Sequence, residues 1–261
     1  MITTTVHPAP AGAATALPTL PVLRSEWIKI RSARAVLGSL VAVFAATAGI
    51  TVLTAAASGT SEADALGEDR LLAAFFGINF GQVAAVAFGA TAFASEFHNG
   101  ALRVSLTAVP NRTVLYLSKV AVVAGLAFAV GQITGLVTFL GGQAFRGDHA
   151  LSLSDPGALR AVFGSGIYLM LITLLASGLT ALVRSGTLVM GLLIPMLLIV
   201  PFVVGQVVGG GMGFMPDRAG QLVMRSEVGG SLGPWTGLGV AALWSVTALA
   251  AGWFAMRRRD A

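Results

Sequence analysis

Cysteine is absent from this chain of 261 residues, which excludes a disulfide framework, a thiol nucleophile and any thiolate metal site. Charge is scarce as well: Asp, Glu, Lys and Arg make up 10% of the residues against 56% hydrophobic ones. Histidine occurs three times, at His7, His98 and His149, never inside a long apolar run and never at the H-E-x-x-H spacing of a membrane metalloprotease. An intramembrane serine hydrolase would want a buried Ser beside a His or Lys base, and the apolar runs hold no such base. No G-x-x-x-x-G-K-[ST] motif is present, so the chain has no phosphate-binding loop of that kind. These absences argue against an enzyme. The net charge of +5 and the pI near 10.7 do not indicate nucleic acid, because the basic residues are scattered between apolar runs rather than gathered on a polar domain.

What the chain has in quantity is apolar sequence, with a mean hydropathy of +0.85. Six runs, 36–57, 71–94, 120–142, 161–183, 187–208 and 235–256, lack Asp, Glu, Lys, Arg and His, and each is long enough for a hydrocarbon core of about 30 Å at about 1.5 Å per residue. Lipid leaves backbone groups unsatisfied, so the runs are expected to be helices, giving an all-α, polytopic membrane protein with six transmembrane helices. Their most polar residues are Asn79, Gln82, Gln132 and Gln206. Asn79 and Gln82 share one helical face and are candidates for lining a pathway or for bonding across helices. Proton relays and ion-coupled carriers place ionisable groups at depth, and these runs offer none.

Residues 1–21 carry Pro8, Pro10, Pro18 and Pro21 and no basic cluster, which reads as a disordered cytoplasmic tail rather than a signal peptide, leaving 22–261 as the membrane domain. In the stretch that follows, Leu23, Trp27 and Ile30 fall at i, i+4 and i+7, with Arg24, Lys29, Arg31 and Arg34 largely off that stripe, the pattern of an interfacial amphipathic helix. With the N-terminus inside, eleven basic residues lie on cytoplasmic segments and five outside, as the positive-inside rule expects, and six spans return the C-terminus to the cytoplasm. The intervening loop 58–70 is acidic and 209–234 is glycine-rich, and neither has catalytic or metal-ligand spacing.

The charge that remains concentrates in residues 94–119, ASEFHNGALRVSLTAVPNRTVLYLSK, between the second and third runs. Asn99 is placed to cap a short helix starting near Gly100; Leu102, Leu106 and Val109 then share one face, Arg103 points elsewhere, and Pro110 ends the helix. Such a helix, with an apolar seam and charged ends, can dock into a groove on a soluble partner and pass that partner's movement to the spans it joins.

The run from Glu96 to Arg112 resembles the segment after the second membrane helix of type-2 ABC exporter permeases, E-x-x-x-G-x-[LI]-R-x-x-L-x-x-x-P-x-R, and Leu23 to Arg34 is similar to that family's elbow helix, S-E-W-x-K-[LI]-R-S-x-R. The resemblance implies an N-terminal elbow helix and a cytoplasmic coupling helix between spans two and three. Glu96, Asn99, Gly100, Leu102, Arg103, Leu106, Pro110 and Arg112 would then face a nucleotide-binding subunit or hold the segment's shape. Trp27, Lys29, Arg31 and Arg34 would anchor the elbow helix among membrane lipid headgroups. His98 and Asn99 depart from the basic and hydroxyl residues usual before the glycine.

The family's permeases carry no cofactor; ATP and Mg are bound by a partner ABC ATPase subunit, and a second permease copy or a sister permease completes the transporter. The implied function is export of a hydrophobic or amphipathic small molecule, such as a drug, antibiotic or lipid. The alternative is a non-transporting membrane partner, an immunity or sensor subunit, of the same kind of ATPase. An Arg to Lys ratio of fourteen to two suits a high-GC bacterial chain, hence a bacterial inner or plasma membrane location with both termini cytoplasmic.

Overall fold

The computed structural model describes residues 19–58, 69–97, 101–147, 150–200, 213–226 and 230–258. Among these residues every regular element is helical: α1 (Thr19–Ser32), α2 (Arg34–Ser58), α3 (Arg70–Ala73), α4 (Ile78–Ala94), α5 (Ala101–Ala108), α6 (Arg112–Gln143), α7 (Ala158–Val183), α8 (Gly186–Leu198), α9 (Pro216–Gln221) with a single 3-10 turn after it (Leu222–Met224), and α10 (Pro234–Arg258). Four helices, Arg34–Ala57, Arg112–Gln143, Ala158–Val183 and Pro234–Arg258, are long and apolar enough to cross a membrane, while α4 and α8 are shorter apolar helices. This is a multi-pass membrane architecture. Asn99, Gly100, Pro201, Gln206, Arg259, the three histidines and most of the tail fall outside the described residues.

Helix α7 is the hub. It packs against α4, α6, α8 and α10 and carries fully buried Tyr168, Leu169 and Ile172. Close approach here depends on small residues. A Cβ on Gly178 of α7 would stand 2.5 Å from the backbone of Ala248 and Leu249 on α10, and one on Gly252 of α10 would stand 2.6 Å from the Gly178 carbonyl oxygen. Lipid offers no hydrophobic force between helices, so such backbone-to-backbone contact is how packing is gained.

The second apolar run, expected as one helix over 71–94, is divided between α3 and α4. At the division Gly77 donates its N–H to the Thr51 hydroxyl of α2 at 2.9 Å, in place of the regular bond along its own helix. A side chain at Gly77 would collide with the Thr47 carbonyl oxygen at 2.1 Å, so the break sits where α2 presses against it. Asp69 caps α3, accepting from Leu71 N and Leu72 N, and Ser226 joins it from the loop after α9. Helix α6 begins eight residues earlier than the third apolar run, with Asn111 as its N-cap, accepting from Thr113 N and Val114 N. At 32 residues, about 48 Å, it overruns a hydrocarbon core, so its first two turns project beyond it.

Candidate functional site

Helix α1 buries one stripe, Val22, Glu26 and Ile30, against the bundle. A carboxylate in the middle of that stripe needs partners, since an isolated buried charge costs far more than packing returns. They come from distant parts of the chain. Lys119, about two turns into α6, places Nζ 3.3 Å from Glu26 Oε2 and 2.6 Å from Oε1 of Glu96, which follows the end of α4. Lys29, one helical turn along α1 from Glu26, reaches Glu26 Oε1 at 2.6 Å and Glu96 Oε1 at 3.2 Å. Ser105 of α5 closes the network, accepting from Lys29 Nζ at 3.0 Å and donating to Glu96 Oε2 at 3.2 Å.

Two carboxylates and two ammoniums thus balance within one cluster that ties α1, α4, α5 and α6 together. Glu26 is 0%, Lys119 3% and Glu96 6% exposed, and Lys29 is half-buried at the rim. Burial alone would raise the Glu96 carboxyl, but the charges and hydrogen bonds of Lys119 and Lys29 outweigh it and hold it below the usual carboxylate range. Burial would likewise lower Lys29; its hydrogen bond and charge contact with Glu26, reinforced by Glu96, carry it above its ordinary value instead.

The structure redistributes the residues that the sequence singled out. Glu96 is turned inward, bonding with Lys119 and Lys29 rather than presenting itself at the surface. Leu102 is buried and Leu106 packs beside it on a cluster containing Ile30, Phe93 and Leu115, so the apolar seam of α5 lies on the chain's own core. The exposed face of α5 is instead formed by Arg103, Val104, Thr107 and Ala108, with Val104 70% exposed. Pro110 follows the helix on the surface. Arg112 Nη1 donates to the Met256 carbonyl at 3.0 Å, a cation at the C-terminal turn of α10, where it complements the helix dipole. On α1, Trp27 and Arg31 are exposed, while Lys29 is drawn into the cluster; Arg34, also exposed, is the first residue of α2 rather than part of α1.

At the opposite end of the bundle, Gln82 is buried and accepts a hydrogen bond from the Tyr168 hydroxyl, and Asn79 Oδ1 accepts from Gln221 Nε2 at 3.1 Å. Both amides therefore bond across elements. Glu26, Ser105 and Lys119 were missed as members of one site. The signal available was E-x-x-K within α1, an i, i+3 pair that reads equally well as a solvated face.

Fold and site define a multi-pass helical membrane protein whose ionic groups meet where its helices emerge at one end. A family model described as ABC-2 family transporter protein matches residues 22–215, more than half of the 261, and the chain belongs to that family. It is accordingly a membrane permease component of an ABC system, not itself the catalytic part, and membership implies association with an ABC ATPase subunit. No curated protein matches it.

Proposed function

We propose that this chain is the permease half of an ATP-driven exporter in a bacterial cell membrane, moving a hydrophobic or amphipathic small molecule. Six spans, both termini cytoplasmic, follow from the charge asymmetry of its loops, with α3 and α4 making up the second span and α8 beginning the fifth. A second permease copy or sister permease faces it, and the ATPase subunit binds ATP and Mg. Helix α5 is the coupling helix and α1 the elbow helix at the inner leaflet, with Trp27 at headgroup level and Arg31 and Arg34 among anionic phosphates.

One observation supports this reading: ion pairs among Glu26, Lys29, Glu96 and Lys119 tie α1 to the ends of α4 and α6, and the Ser105 hydroxyl joins α5 to the same cluster by hydrogen bonds with Lys29 and Glu96. A push on the exposed face of α5 would move the cytoplasmic ends of two spans and the elbow helix together, instead of bending a loop. Arg103, Val104 and Thr107 are the face an ATPase groove would grip, while Glu96 and Leu106 keep the helix seated.

The test is affinity purification of the full chain from native membranes in mild detergent, with ATP hydrolysis and substrate flux then measured in proteoliposomes. A soluble protein with ATP-binding-cassette motifs should copurify, and Arg103→Glu with Val104→Asp should break coupling of hydrolysis to flux while leaving the permease folded. A chain that purifies alone would overturn the reading. A complex that hydrolyses ATP without flux would instead indicate the non-transporting membrane partner.

A further inference from the structure

Away from the charge cluster, at the end of the bundle where Asp69 meets Ser226, lies a cavity of about 520 Å³. That volume is within the usual range of small-molecule sites. Its apolar wall includes Phe76 and Phe80, both exposed on their outer sides, with ring centroids 6.1 Å apart. Asp69, Asp217, Arg218 and Arg225 bring charge to it. The Asp69 carboxylate is occupied by Leu71 N, Leu72 N and Ser226. Asp217 is different. It is 3% exposed; burial pushes its carboxyl above the usual carboxylate range, against the backbone N–H groups at the start of α9 and the nearby Arg218 charge, and Oδ1 is buried with no hydrogen-bond partner. A buried acceptor left over in this way is a lasting cost unless something donates to it.

We propose that this cavity binds the headgroup of a zwitterionic amphiphile bearing a primary ammonium, which donates to Asp217 while Arg225 meets the anionic group and the tail runs out over Phe76 and Phe80. The charge balance of the wall selects a zwitterion: a bare cation would meet the arginines and a bare anion would meet Asp217. A primary ammonium is required because a trimethylated one has no N–H to give to Oδ1. The exposed aromatic side supplies an exit for the tail into lipid, so a headgroup can be enclosed without burying the whole molecule. This site follows from the geometry at that end of the bundle and does not rest on the exporter reading.

Native mass spectrometry of the full-length chain, loaded with lysophosphatidylethanolamine or with lysophosphatidylcholine of the same tail, tests it. The wild type should retain the ethanolamine lipid about tenfold better, the scale of one charge-assisted hydrogen bond. Asp217→Asn should abolish the preference, and Arg225→Gln should weaken both lipids while keeping it. Equal retention of the two lipids by the wild type, which needs no variant to fold, would overturn the proposal. A preference that survives Asp217→Asn in folded protein would overturn it too.

Discussion

Lys119→Met is the sharpest test of the charge cluster. The substitution keeps the length and apolar stem of the side chain and removes only the ammonium that lies 2.6 Å from Glu96 and 3.3 Å from Glu26. What remains is two carboxylates, 0% and 6% exposed, sharing the half-buried Lys29. Breaking a buried pair in this way costs about 3–5 kcal/mol, because a desolvated charge is left without its counter-charge. The cost falls on the element most easily released, α1, whose buried face holds Glu26 between Val22 and Ile30. Backbone hydrogen exchange over residues 20–32 should therefore accelerate about 100-fold or more, at about 1.4 kcal/mol per factor of ten. Adding Glu96→Gln restores charge balance, leaving Lys29 against Glu26, and should recover a measurable part of the loss, on the order of 1–2 kcal/mol of coupling. Exchange in α1 that stays within about threefold of wild type, or a double variant no better than the worse single one, would refute the idea that these contacts hold α1 in place.

Three further outcomes follow from the same geometry. Because the Glu96 carboxyl is held below its ordinary 4.5 by Lys119 and Lys29 against the pull of burial, its contribution is complete above pH 4.5 and fades as pH falls through the lowered value; the raised Lys29 gives the mirror case, complete below 10.5 and lost above. The cluster's contribution to thermal stability, read as the difference between wild type and Glu96→Gln, should thus be flat between about pH 5 and 10 and shrink on the acid side; a steep change in that difference near neutrality would contradict it. Leu106→Asp should weaken the isolated chain by about 3 kcal/mol, seen as a lower unfolding temperature without any partner, because Leu106 packs on the chain's own core; unchanged stability would return Leu106 to a partner-facing role. Gly178→Leu should abolish folded expression, since its Cβ would stand 2.5 Å from α10 backbone, whereas Gly239→Ala, with nothing within 4 Å, should be tolerated.

Membrane character was legible from composition, and the long helices from run length, because lipid imposes a simple rule on backbone hydrogen bonds. The division of the second run was not. It arises where a hydroxyl of α2 replaces a carbonyl along the chain, and Thr51 and Gly77 carry no pattern that links them across 26 residues. Helix α1 reads from its sequence as an interfacial helix with the stripe Leu23, Trp27 and Ile30; the face it packs on the bundle is Val22, Glu26 and Ile30, with Trp27 exposed, and periodicity gives no sign of that second face. Periodicity scores a glutamate as surface. It cannot see that Lys119, 93 residues on, arrives to neutralise it. The seam of α5 was found correctly as a face, but a single helix does not say whether its apolar side meets its own chain or a partner; Phe93, Leu115 and Ile30 decide that.

Why charge should gather at this position follows from the two solvents that meet there. Deeper in the membrane, the ionic contacts of Glu26, Glu96 and Lys119 would face the full cost of desolvation. In open water the same pairs would be worth about 0–1 kcal/mol each and would not orient anything. At the mouth of the bundle three members are buried and Lys29 keeps contact with the rim, so the contacts are strong enough to hold one register of α1, α5 and α6. Apolar packing tolerates sliding by a turn, because one leucine resembles the next. A carboxylate set between two ammoniums does not, since any shift leaves a buried charge unmatched. The cluster is therefore best understood as a device for registry: it adds little net stability to an already apolar bundle, but it fixes α1 against the ends of α4 and α6.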